Sequence, residues 1–204
     1  MPKPNTNRRY KRGAPHKDAR LFIIVAEGER EDNYFNWFNE RNQRIRIHIV
    51  PREGQASAPK HFLSRLEKYL EEAGAKSAND DSIWFVLDVD RWQRADIDSL
   101  IKATELNSNW HTAISNPCFE VWLHCHIAPP PTNMTDCGKL KIALNTLFFG
   151  GYAPDKACPL VETAIKHAKE IGGRPEKAYP NVLQTKVFQL AMEMVEILGK
   201  KWMK

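Results

Sequence analysis

The sequence holds 204 residues, 42% hydrophobic and 27% charged, the mix of a globule with one domain or one domain and a small appendage, not of a fibre or a disordered chain. No stretch reaches the ~20 consecutive apolar residues of a membrane span, the basic N-terminus lacks the apolar segment of a secretory signal, and four cysteines without a CxxC pair read as reduced thiols of a cytoplasmic protein. The net charge of +5 is uneven: residues 1–20 sum to +6 and the last five to +3, leaving −4 on the body between them.

In chain order, residues 1–20 form a basic tail, expected to be flexible. Such runs attract phosphate backbones, so Arg8, Arg9, Lys11 and Arg12 are candidate nucleic-acid contacts, although a merely solvated tail accounts for the same charges. Residues 21–26 are a continuous apolar run ending in Glu27-Gly28, which predicts a strand buried on both faces of a parallel sheet. Tyr34, Trp37 and Phe38 predict a helix over 33–42. Residues 44–49 alternate strictly, as a strand with one wet face at a sheet edge does. Pro59 can open a helix bearing Phe62, Leu63, Leu66, Tyr69 and Leu70 on one side, and polar residues 76–81 break it. Residues 83–87 are a second continuous apolar strand, ending in Asp88-Val89-Asp90. A helix over 95–105, a strand over 111–115 and an apolar helix over 119–126 follow, stopped by Pro129-Pro130-Pro131. The remainder reads as helices over 139–147, 159–171 and 182–198. The order βαβαβαβ is that of an α/β sheet.

Both fully apolar strands end in carboxylates, and ligands of open α/β sheets bind outside the carboxyl ends of the strands. Clustered carboxylates raise one another's pKa. A hard divalent cation such as Mg2+ or Mn2+ removes that penalty. Asp88 and Asp90, at i and i+2, share a face of an extended segment and could hold one metal, leaving Glu27 to bind a second or to move a proton. A lone DxD equally caps the next helix or pairs with Arg91 or Arg94, and a lone Glu-Gly marks a tight turn; the joint occurrence favours the metal site. Arg52, Lys60, Arg91 and Arg94 are candidates for a phosphate-binding rim, although isolated basic residues near loops are usually surface charges. Asn116-Pro117 reads as helix N-cap and first turn, with Glu120 complementing the helix dipole. The same segment follows a strand, so Asn116 and Glu120 also fit the rim of the metal site. Cys118 reads as a small buried thiol, and the tryptophans read mostly as core.

Ile23-Ile24-Val25-Ala26-Glu27-Gly28-Glu29 with Asn33-Tyr34-Phe35, then Trp84-Phe85-Val86-Leu87-Asp88-Val89-Asp90, then Ser115-Asn116-Pro117-Cys118-Phe119-Glu120-Val121-Trp122-Leu123 with His126 resemble the three motifs of the RloB-like proteins. The resemblance implies a Toprim-like three-layer α/β fold with a mostly parallel central sheet over residues 21–126, on which the helical runs of 127–204 read as a packed C-terminal extension. It implies Glu27, Asp88 and Asp90 as catalytic residues and ligands of Mg2+ or Mn2+, with a further acid one turn after the first, a place open to Glu31 and Asp32. It also implies a nuclease acting on DNA, tRNA or other RNA in a bacterial anti-phage or abortive-infection system, beside an ABC-type ATPase partner. His126 on its own residues reads as core packing or a hydrogen bond. The alternative is a non-catalytic adaptor subunit of an ATPase complex. A DxD sugar transferase is disfavoured because no nucleotide-binding or acceptor domain is discernible, and a dehalogenase-type phosphatase because position 92 is Trp. No membrane partner is expected.

Overall fold

A computed structural model describes residues 19–39, 43–52, 57–72, 81–172 and 178–199. The continuous apolar runs become neighbouring strands of one sheet. In chain order the elements are β1 (Arg20–Ala26), α1 (Glu29–Asn39), β2 (Ile45–Ile49), α2 (Phe62–Glu72, entered through a 3-10 turn at Pro59–His61), β3 (Ser82–Asp88), α3 (Arg94–Glu105) and β4 (Trp110–Asn116). Then come α4 (Glu120–Cys125), α5 (Cys137–Leu147), α6 (Pro154–Ala157), α7 (Val161–Glu170, after a 3-10 turn at Cys158–Leu160), β5 (Gln184–Thr185) and α8 (Val187–Leu198). The sheet order is β2-β1-β3-β4-β5, with β1 to β4 parallel and β5 antiparallel to β4.

Side chains alternate across a strand, and the two central strands use both faces. Phe22, Ile24, Ala26, Trp84 and Val86 pack with α1, α4, α7 and α8 in one cluster. Ile23, Val25, Ile83, Phe85 and Leu87 pack with α2 and α3 in another. This two-sided burial is why neither strand shows polar alternation. It makes three layers: helices, sheet, helices. Each large apolar side chain these strands take from water contributes roughly 1.5–3 kcal/mol. The first cluster also contains Leu144, Val161, Ala164 and Leu190, so the helices after residue 127 share a core with the sheet.

The chain leaves β1 for β2 on one side and reaches β3 on the other. The crevice between β1 and β3 is therefore the topological switch point where ligands of open α/β sheets bind.

Four local expectations are corrected. The first helix begins at Glu29 rather than residue 33. Its opening turn carries Glu29, Glu31 and Asp32, which suit the helix dipole but add no apolar periodicity. The helix expected from residue 182 begins at Val187, because Ser115 and Asn116 pair with Thr185 and Gln184. That pairing keeps Asn116 extended, so it is not an N-cap. Its Nδ2 donates to the Pro180 carbonyl at 3.1 Å, and Phe119 precedes α4. The helix expected over 159–171 is a 3-10 turn followed by α7. The tail residues Arg8, Arg9, Lys11 and Arg12 lie outside the described residues. No helix among the described residues is long and apolar enough to cross a membrane.

Candidate functional site

Parallel pairing sets Ala26 opposite Val86, so the residues ending β1 and β3 emerge side by side. The Asp88 backbone N–H donates to Glu27 Oε2 at 3.1 Å across 61 positions of sequence. Glu31, in the first turn of α1, is only 5% exposed. Its carboxylate folds back onto Gly28, where a Cβ would come within 2.7 Å of Oε2. Glu120, in the first turn of α4, completes an inner group of four acids. With Asp90, Arg91 and Trp92 they line one cavity of about 280 Å3 at the switch point.

The electrostatics are lopsided. Glu120 has two cations, Arg30 at 2.6 Å and Lys141 at 3.9 Å. Among the described residues no Lys, Arg or His forms an ion pair with Glu27, Glu31 or Asp88. Burial, then the charges of Glu27, Glu120 and Asp32, pushes Glu31 up to about 7. Burial, then Glu31, Glu27 and Glu120, holds Asp88 well above the ordinary carboxylate range. Burial also raises Glu27, against the lowering pull of the Trp92 indole and the Asp88 amide. The indole Nε1–H stands near enough to favour the charged Glu27, yet closes no hydrogen bond by distance and angle. Asp90 sits at the rim with its side chain 23% exposed, accepting from the Cys137 thiol at 3.0 Å, with Arg91 at 3.9 Å. Burial, then its bond to Asp90, pushes Cys137 up to about 12, so at neutral pH it donates as a neutral thiol.

The other sequence candidates fall elsewhere. Asp32 turns out of the cavity to Arg52, 2.5 Å away. Between Glu31 and Asp32, then, the structure brings Glu31 to the acids. His126 is buried beneath α4, its Nε2 3.0 Å from the Tyr34 hydroxyl and its Nδ1 3.1 Å from the Trp122 carbonyl. Asn116 lines a neighbouring cavity with Arg94, Trp92 and Tyr179. Trp84 and Trp122 are core. Arg30, Lys141 and Arg65 carry no sequence signal. Arg65, buried on α2, donates to the carbonyls of Ala26 (3.0 Å), Val50 (2.8 Å) and Pro51 (3.2 Å). It ties together the ends of β1 and β2 just before Glu27. All four cysteines are free.

Whether these acids suit a divalent cation turns on donor chemistry and convergence. The donors are hard carboxylate oxygens, partly buried, mutually repelling and short of cations, which is the chemistry Mg2+ or Mn2+ satisfies. Among the described residues, however, no three His, Cys, Asp or Glu side chains already converge as a metal-holding group.

A mostly parallel α/β sheet with acids gathered at its switch point defines the class of protein. The model of the RloB-like protein family matches residues 22–194, and the chain belongs to that family. No curated protein and no solved structure matches it significantly.

Proposed function

We propose that this chain is a Mg2+- or Mn2+-dependent nuclease with a Toprim-like core, acting in the cytoplasm in bacterial anti-phage defence beside an ABC-type ATPase. The observation that carries the reading is the set of Glu27, Glu31 and Asp88: a buried acid and two half-buried ones from two distant sequence segments, at the ligand-binding end of the sheet, with no cation paired to them among the described residues. Such an arrangement is unfavourable without a counter-charge, and family membership agrees with it.

Glu27, Asp88 and Asp90 would hold the ion, with Glu31 beside them, after side-chain rotations that draw the oxygens together. When bound, a divalent cation supplies positive charge against a phosphodiester and acidifies a water. The rest falls to the chain. Glu27, held by the Asp88 amide, would accept a proton from the attacking water. Arg91 at the rim and the basic tail would hold the phosphate backbone without reading its sequence. Arg30 and Lys141 neutralise Glu120 and so limit the negative charge facing the substrate.

The test is a cleavage panel of supercoiled plasmid, single strands and bulk tRNA with Mg2+ or Mn2+, using the full chain with and without the neighbouring ATPase. Asp88→Ala and Glu27→Gln should each lower the rate at least 100-fold, in line with the loss of a metal ligand or a general base. Wild-type and variant chains that behave alike on every substrate would overturn the nuclease reading and leave the adaptor role.

A further inference from the structure

A second cavity, of about 450 Å3, adjoins the acidic one and is lined by Val89, Trp92, Arg94, Asn116 and Tyr179 among others. Trp92 belongs to both walls, so the two depressions lie one indole apart. The second differs in character. The Arg94 guanidinium lies over the Tyr179 ring at 4.1 Å. The Tyr179 hydroxyl donates to Asp98 Oδ1 at 2.6 Å, which fixes the ring's attitude. Trp92 and Val89 add flat and apolar surface. Asn116 gives its Nδ2 to the Pro180 carbonyl and keeps its Oδ1 as an acceptor on the wall.

Two aromatic side chains, a guanidinium plane over one of them and one polar acceptor match the ways proteins hold an unstacked base of a single strand. We propose that this cavity receives one nucleobase of a single-stranded nucleic acid, next to the phosphate at the acidic centre. The inference rests on the nuclease reading for the class of ligand, but not for the base contact itself. Tyr179 and Arg94 supply the platform, Asn116 accepts from an exocyclic amino group, and Trp92 separates base from phosphate. The pocket thus calls for a splayed strand, because a base inside a duplex stays in its own stack.

The experiment measures binding, not cleavage. Full-length protein in a chelator is titrated with a fluorescent single-stranded oligonucleotide, with the same oligonucleotide carrying abasic sites, and with the matching duplex. Tyr179→Ala should weaken binding of the base-bearing strand roughly 5- to 100-fold, the range of one lost base–aromatic stack, and leave the abasic strand unchanged. Tyr179→Phe, which keeps the ring, should hold within about twofold of wild type by the same reasoning. Equal losses on both strands, or none, would overturn the pocket. Cleavage by Asp88→Ala is scored separately. If that variant still cuts while Tyr179→Ala discriminates base from abasic strand, the base pocket stands and the catalytic assignment falls; the reverse result sinks the pocket alone.

Discussion

Glu31 and Asp32 are neighbours in sequence with opposite fates, and two other residues decide between them. Gly28 leaves room for the Glu31 carboxylate to fold back toward Glu27 and Asp88, while Arg52 draws Asp32 away. A methyl group at position 28 meets only the far end of a flexible side chain, so Gly28→Ala should leave the melting temperature within about 4 °C, as a change under ~1 kcal/mol does. It should still displace Glu31 and weaken Mn2+ binding about tenfold by isothermal titration, the loss of roughly one ligand contact. Unchanged Mn2+ affinity would remove Glu31 from the donor set. Glu27, Asp88 and Asp90 can be singled out in the sequence because each stands at the end of an apolar run. The choice of Glu31 cannot be read there, since spacing from Glu27 serves both acids and the deciding partner is far along the chain. Asn116 misleads for a related reason: Asn-Pro is a strong local helix signal, overridden by pairing with a two-residue strand that has no pattern of its own.

Among the elements, α8 is fixed to the sheet by polar contacts as well as by its apolar stripe. Glu193 accepts from the buried Ser82 hydroxyl at 2.5 Å and from the Trp84 indole at 3.2 Å, and pairs with Arg20 at 2.9 Å. These residues belong to the starts of β1 and β3, the pole opposite the acids. Removing the carboxylate strands a buried hydroxyl and a buried N–H, each costing about 1–3 kcal/mol. Glu193→Ala should therefore lower the melting temperature by roughly 4–24 °C in a thermal scan, at about 2–4 °C per kcal/mol for a chain of this size, without changing metal affinity. A change in metal affinity would mean that the two poles are coupled. The strands and most helices are legible because burial imposes period 2, period 3.6 or an unbroken apolar run. The start of α1 is not, because its first turn is chosen for charge rather than packing.

For the whole molecule, the clustered acids make stability depend on pH in an uncommon direction. An unfolded glutamate gives up its proton near its ordinary value of 4.5, whereas folded Glu31 keeps it to about 7. Between those values the folded chain binds more protons, so this group's contribution to stability falls as pH rises through the window. The shift corresponds to a few kcal/mol. In chelator, wild type should lose more melting temperature between about pH 5 and pH 8 than Glu31→Gln does. Saturating Mn2+ at about pH 8 should restore much of that loss, because the ion favours the deprotonated acids. A parallel pH course for wild type and Glu31→Gln would show that Glu31 is not held protonated by the fold.

The outer flank of β2 bears on how copies of the chain meet. An edge strand offers unpaired amides and carbonyls to any other extended segment, and an Ile-x-Ile-x-Ile stretch is apt to accept one. On β2 the Ile47 N–H is already taken by Asn39 Oδ1 at 3.1 Å, and exposed Arg46 stands beside it, between buried Ile45 and Ile47. Two molecules zipping flank to flank would crowd these guanidinium groups together, which discourages filament growth while the sheet keeps its apolar interior.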